Sequence, residues 1–321
     1  VQYAYKDGSF QGFAARLTRE QVARLTADQR VEYVEPQQLT RIAGYQANPP
    51  SWGLPRIAHR RAADNQAYVY PDSAGEGTEI WVVDTGINEQ HQDFGGRARM
   101  LVSFISGEAV TDLNGHGTHV AGTTAGTAYG VAKKATVYGV KVLPGSGYGS
   151  NAGVIAGIQY VVQYARPYKA VINMSLSSGR SRAVDDAVQA AVDAGIAVVV
   201  AAGNAAANAC DYSPAGAPSA FAVAASDIAN QEASFSNYGS CVRVYAPGVD
   251  IRSLWKGSDT ATNTISGTSM ASPHVAGVAA LYMSMKNYDS VGALYADLIN
   301  HATYNVITNP SLDTANRLIY N

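Results

Sequence analysis

The sequence is poor in charge, in cysteine and in long apolar runs, and each shortage closes off a class of function. Charged residues make up 15% of the 321 positions and the net charge is -2. No polycation is on offer for nucleic acid, and no basic run is present to grip phosphate or anionic lipid. The longest apolar stretch, residues 194–203, falls far short of the roughly 20 residues a membrane helix needs, and reads as a buried strand. The only cysteines are Cys210 and Cys241. With no histidine near either in sequence they cannot form a four-ligand zinc site, and free thiols or a disulfide both fit the count. No signal peptide is visible, and the chain opens at Val1 in mid-pattern, which reads as a piece of a longer precursor. What is abundant is apolar content, 47%, enough for a substantial core in one large α/β domain or two ordinary ones.

The organisation changes along the chain. Residues 1–5 read as a strand, Asp7-Gly8 as a hairpin turn and residues 10–15 as a second strand. Thr18 followed by Gln21 fits a capping box opening a helix through Ala27, and residues 31–34 alternate as a third strand closed by Pro36. This β-β-α-β unit, residues 1–39, is too small to be stable alone. Residues 40–51 turn to Gly, Asn and Pro and read as a linker. From Trp52 to Asn321, apolar runs at 80–83, 135–142, 171–174, 196–202 and 221–224 alternate with helical stretches at 117–126, 152–164, 183–194 and Thr268–Met285. That alternation predicts an α/β fold, a mostly parallel sheet flanked by helices on both faces.

In such a sheet, sites form at the carboxyl ends of the strands. Asp84 closes an apolar strand in Val82-Val83-Asp84-Thr85-Gly86. His116 stands at the mouth of a helix in Asn114-Gly115-His116-Gly117-Thr118-His119, and Ser269 opens another in Gly267-Thr268-Ser269-Met270-Ala271-Ser272-Pro273-His274. Serine needs a base to become a nucleophile, histidine titrates in the right range, and an acid behind the ring fixes its tautomer. A helix start also favours developing negative charge, and Pro273 falls in the first turn where its missing N–H is no loss. For the oxyanion, the Asn204 side chain on a glycine-flanked corner and the Ser269 backbone N–H are candidate donors. Alone, an Asp after a strand is a turn cap and a Ser before a helix an N-cap; it is their joint occurrence that points to catalysis.

Three rival readings fare worse. Asp84-Thr85-Gly86 is also the tripeptide of aspartic peptidases, but no second copy occurs, and no G-x-G-x-x-G supports dinucleotide binding. A catalytically silent binding protein on a protease scaffold would be expected to have lost one of these residues. His116 and His119 lack the Glu of a zinc-peptidase pair. His119 and His274 read as structural neighbours of the site, and His59, His91 and His301 as surface residues.

In order and content these segments resemble the signature motifs of the subtilisin-like serine peptidases, with Ala202-Gly203-Asn204 matching the oxyanion corner. The resemblance runs from Trp52 to Asn321 and is strongest to the proteinase K-like branch, near aqualysin-type enzymes. Trp52-Gly53-Leu54 and Ser234-Phe235-Ser236-Asn237-Tyr238-Gly239 look like that branch's landmarks. It implies a secreted, monomeric endopeptidase of broad specificity, favouring apolar or aromatic residues before the cut. Peptide would add as a strand between Gly147-Tyr148-Gly149 and Ser175-Leu176-Ser177-Ser178, with Ala202 and Gly203 beside it. Relatives carry glycines where Ser177 and Ser178 stand, so these two either narrow the pocket or face away. Residues 1–39 look like the second half of a subtilase propeptide, a folding helper and inhibitor, with processing between Thr40 and Gln46. The resemblance implies a Cys210–Cys241 disulfide and no catalytic cofactor. Relatives hold structural calcium, but Arg243 replaces a usual aspartate ligand, and acidic residues used by some relatives near Pro55 and Ala58 are missing too; Asp112 is the remaining calcium candidate.

Overall fold

Val, Ile and Ala dominate the predicted strands, and buried parallel strands are the arrangement that hides such residues on both faces. The computed structural model describes residues 1–6, 8–36, 43–61 and 67–321, divided into two compact units, Val1–Ile42 and Ala43–Asn321. In the second unit nine strands form one sheet in the order Thr303–Tyr304, Arg317–Leu318, Val242–Pro247, Phe221–Ser226, Ala197–Ala201, Ala170–Met174, Glu79–Asp84, Thr136–Lys141, Ala98–Ser103. Seven neighbouring pairs are parallel, and Thr303–Tyr304 runs antiparallel at one edge.

Alternate residues of each strand enter different cores. Ile80 and Val82 pack with Val120, Val275 and Leu281 on one face, while Trp81 and Val83 pack with Ile158, Val161 and Val188 on the other. The helices His116–Ala125 and Thr268–Met285 therefore cover one side, and Asn151–Tyr164 and Arg182–Asp193 the other. The result is a three-layer α/β fold. From Glu79–Asp84 the chain builds outward to one edge, then crosses to Ala170–Met174 and builds toward the other. The growth direction reverses beside the strand that ends in Asp84, where open α/β sheets form their crevice.

Sequence and structure part in several places. In the first unit the hairpin Tyr3–Tyr5 with Gly12–Ala14 and the helix Arg19–Thr26 are present, and both arms of the capping box between Thr18 and Gln21 form. Residues 31–34, expected as a strand, have no strand partner: Val31 and Val34 are only half-buried, and alternation without a paired edge does not make a ladder. Within the stretch read as a linker, Ala43–Gln46 is a strand antiparallel to Tyr68–Pro71. Gly44 lets the Tyr70 ring close on the backbone where a Cβ would collide with it. Residues 40–42 lie outside the described residues, as does Asp7 of the expected hairpin turn. The strands Ala98–Ser103 and Val242–Pro247 and the helices Gly53–Ala58 and Val291–Asn300 were not foreseen.

Candidate active site

Asp84 is fully buried at the end of its strand, and its Oδ1 accepts from the Thr85 amide at 2.7 Å. Gly115, at φ 107, takes a left-handed turn that a side chain would strain, and delivers His116 as the first residue of its helix. The ring then reaches back to the strand: Nδ1 lies 2.8 Å from Asp84 Oδ1 and 3.0 Å from Oδ2. Nδ1–H donates to the carboxylate, leaving Nε2 as the basic nitrogen. Burial works against the charged ring, but the charge and hydrogen bond of Asp84, with Asp112 further off, hold the His116 pKa above its ordinary value.

One carboxylate organises this corner. Asp112 accepts on Oδ1 from the Thr85 hydroxyl at 2.9 Å and the amides of Asn114 and Gly115 at 2.9 and 2.8 Å. On Oδ2 it accepts from the Thr118 amide at 2.9 Å and hydroxyl at 2.6 Å. Five donors account for its burial. Lys141, also buried, ties Thr85 to the cleft edge through the carbonyls of Thr85 and Leu143, both at 2.9 Å, and pairs with Glu108 at 3.0 Å.

Ser269 is the second residue of Thr268–Met285. Its hydroxyl donates to the Ser175 carbonyl at 3.1 Å, and the Ser175 hydroxyl returns a bond to the Ser269 carbonyl at 2.8 Å. In this rotamer it is not bonded to the His116 ring, a looseness common before substrate arrives. Behind it, Ser272 donates to Asn173 and Asn173 to Ser175, at 2.8 and 3.0 Å. Asn204 Oδ1 accepts from both the amide and the hydroxyl of Thr268 at 2.8 Å, which frees Nδ2 to point elsewhere. A Cβ built on Gly267 would lie 3.4 Å from Asn204 Nδ2 and 3.6 Å from the Ser269 amide. Both donors thus border one small space kept open by a glycine. Thr268, as the group that orients Asn204, is a residue the sequence reading passed over.

A cleft of about 460 Å³ opens here, lined by His116, Gly147, Tyr148, Gly149, Ser175, Leu176, Ser177 and Ser178, with Leu143, Val154 and Val184 as apolar walls. Tyr148 is 88% exposed at its rim. Ser178 Oγ donates to the Gly179 carbonyl at 3.1 Å, so this hydroxyl is held to the wall. Ala202 and Gly203 do not line this space. Ala202 is fully buried with its carbonyl bonded to Asn237 at 3.0 Å, and Gly203, at φ 108, forms the corner that carries Asn204.

Residues 75–316 match the Subtilase family, and residues 1–43 match Peptidase inhibitor I9. The chain belongs to the subtilase family. It is 46% identical to the subtilisin-like serine protease AsES of Sarocladium strictum, over 100% of this chain and 82% of that protein. It is 44% identical to a cuticle-degrading protease of Metarhizium anisopliae, over 98% of this chain and 81% of that protein. Its fold is similar to the crystal structure of a cold adapted subtilisin-like serine proteinase, with TM-score 0.80 and 45% identity, over 84% of this chain and 97% of that one. This subtilase is accordingly a serine endopeptidase that carries an I9 inhibitor domain at its N-terminal end.

The disulfide Cys210–Cys241 is present, with Cα atoms 5.4 Å apart. Arg243 donates to the Pro218 carbonyl at 3.0 Å. His119 and His274 are buried and their pKa values are pushed down to about 4, chiefly by burial, so both are neutral parts of the frame. His274 Nε2 abuts Gly53, where a Cβ would run into the ring. His91, read as a surface residue, is 4% exposed: Nε2 donates to the Ala261 carbonyl at 2.9 Å and Nδ1 accepts from the Asp93 amide, so backbone partners make burial tolerable. Among the described residues no helix is long and apolar enough to cross a membrane.

Proposed function

We propose that this subtilase is secreted and hydrolyses proteins through a covalent acyl-enzyme, with Ser269 as nucleophile, His116 as base and Asp84 orienting that base. The hydroxyl proton passes to His116 Nε2 as Oγ attacks the peptide carbonyl. The developing oxyanion is met by Asn204 Nδ2 and the Ser269 amide, and His116 then returns the proton to the leaving amine. The observation that carries this reading is the Asp84–His116 pair, both carboxylate oxygens within 3.0 Å of Nδ1, opening on the cleft whose wall, Ser175, holds the Ser269 hydroxyl.

Peptide adds as a strand between 147–149 and 175–178, which makes selection largely indifferent to most side chains. The apolar walls support a preference for apolar or aromatic residues before the cut. Residues 1–39 serve as the enzyme's own inhibitor and folding helper until the chain is cut between Thr40 and Gln46. The disulfide fits the oxidising environment outside the cell.

Casein digestion by the wild type beside Ser269→Ala tests the assignment, with a serine-directed phosphonate as label. Loss of about 10⁶ in kcat, and labelling of the wild type at Ser269 alone, is the expected result. Equal proteolysis by both proteins overturns it, and a wild type that neither digests casein nor takes the label favours a silent binding protein on this scaffold.

A further inference from the structure

The cleft edge 147–149 has little of its own to hold it. The Gly147 amide donates back to the Pro144 carbonyl at 2.9 Å, and among the described residues no backbone–backbone hydrogen bond joins Tyr148 or Gly149 to the rest of the fold. Its position is therefore set at its root, residues 143–145. The Leu143 amide donates to the Asp84 carbonyl at 3.2 Å, and the Leu143 carbonyl accepts from Lys141 Nζ at 2.9 Å. The Gly145 peptide is gripped on both edges. Its N–H donates to both oxygens of the Glu108 carboxylate, each at 3.0 Å, and its carbonyl accepts from Asn114 Nδ2 at 2.9 Å. Asn114 Oδ1 in turn accepts from the His116 amide at 3.2 Å.

Glu108 joins these bonds into one clamp. Its carboxylate answers the fully buried Lys141 ammonium at 3.0 Å, and the same ammonium holds the Thr85 carbonyl, next to Asp84, at 2.9 Å. The Lys141 hydrogen bond, with that of the Gly145 amide, keeps the Glu108 carboxyl below its ordinary pKa. It is therefore ionised at neutral pH, and a bond from an amide to an ionised carboxylate is among the stronger kinds. The cleft edge is thus fastened to the strand end that carries Asp84 and to the loop that delivers His116. We propose that Glu108 is a positioning residue for substrate: it fixes the 147–149 edge at the distance from His116 that an extended peptide needs to pair with it. This rests on reading 147–149 as a strand partner of the peptide. Glu108 touches neither the substrate nor the reacting atoms, so its effect grows with the number of substrate residues lying along that edge.

The test compares two p-nitroanilides cleaved after the same phenylalanine, one a blocked single residue and one a blocked tetrapeptide, with active sites counted by phosphonate labelling. Glu108→Ala raises KM for the tetrapeptide about tenfold, the effect of losing one charge-assisted hydrogen bond. Its kcat stays within about twofold of wild type, as when only substrate binding is lost, and both constants for the single residue stay within the same limit. Glu108→Gln keeps an acceptor for the Gly145 amide and brings the tetrapeptide KM back to within about threefold of wild type. A merely structural loss would lower the count of active sites or slow both substrates alike, so an unmoved ratio of the two KM values overturns the proposal. Both variants leave Lys141 without its counter-charge. Equal KM values in the two would therefore assign the effect to the stranded ammonium, and would overturn the proposal as well. Failure of the strand reading itself is told apart in the wild type, which would then bind the tetrapeptide no better than the single residue and take the proposal with it.

Discussion

The helix Arg19–Thr26 has a complete capping box, an acid in its first turn and a base in its last, while Thr268–Met285 has no side-chain cap and a proline inside it. Yet the first buries no residue and the second buries 15 of its 18. The contrast extends to the units that hold them. Among described residues 1–36 none is buried, and Phe10, Phe13 and Tyr33 are exposed, whereas the second unit closes two cores on one sheet. Local signals choose an element's shape, and a cap contributes only about 1 kcal/mol. Burial, at about 25 cal/mol per Å² of apolar surface, decides whether the element persists.

Among ways to break this contrast, the largest effect probes a fully buried acid of the second unit. Asp84→Asn lowers kcat by about 10⁴, because the His116 tautomer is no longer fixed. In the proposed mechanism the active ring is neutral, so activity falls as pH drops through the His116 pKa, which Asp84 holds up against burial. Without the carboxylate the downward pull of burial is opposed only by the more distant Asp112, and the acid limb of kcat/KM moves to lower pH. A limb that stays in place would mean that Asp84 does not act on the ring.

An intermediate effect comes from joining the two cysteines' loops, 31 residues apart in sequence. Cys210→Ser with Cys241→Ser lowers stability by about 3–4 kcal/mol in the chain-entropy model. Urea unfolding of the variant reads it, and a shift below about 1 kcal/mol would show that the two cores need no staple. The smallest effect lies in the first unit. Thr18→Ala removes one arm of the capping box and speeds hydrogen exchange over Arg19–Thr26 about fivefold, the equivalent of ~1 kcal/mol. The main thermal transition stays where it is. A large drop in that transition would erase the distinction between the units.

Much of this was legible from pattern. Continuous Val, Ile and Ala runs marked the central strands, and the Thr18–Gln21 spacing marked a helix that forms with both bonds. The three catalytic candidates were legible because each sits where a strand or helix ends. What stayed hidden depends on partners far away in sequence. The edge strand Ala98–Ser103 exposes Arg99 and Leu101 and carries an apolar run of only three residues, Met100 to Val102, and its pairing to Thr136–Lys141 sets its shape. The Ala43–Gln46 strand looked like a linker because Gly44, which serves its packing, is also a loop residue. His91 looked exposed until Ala261, distant in the chain, supplied a carbonyl. Thr268 looked like an ordinary helix residue until the fold brought Asn204 to it.

Asp112 has a consequence for motion. Its oxygens hold Thr85, next to Asp84, and also Gly115 and Thr118, on either side of His116. Acid and base are thereby referenced to a single anchor instead of to each other alone. When the surrounding chain breathes, the two are carried in step, and the spacing between them drifts less than the spacing of either to the solvent. The serine hangs from a separate mooring at Ser175. The coordinate left free to adjust as a substrate enters is then the gap between His116 and Ser269, the one that the proposed mechanism needs to close for the reaction to begin.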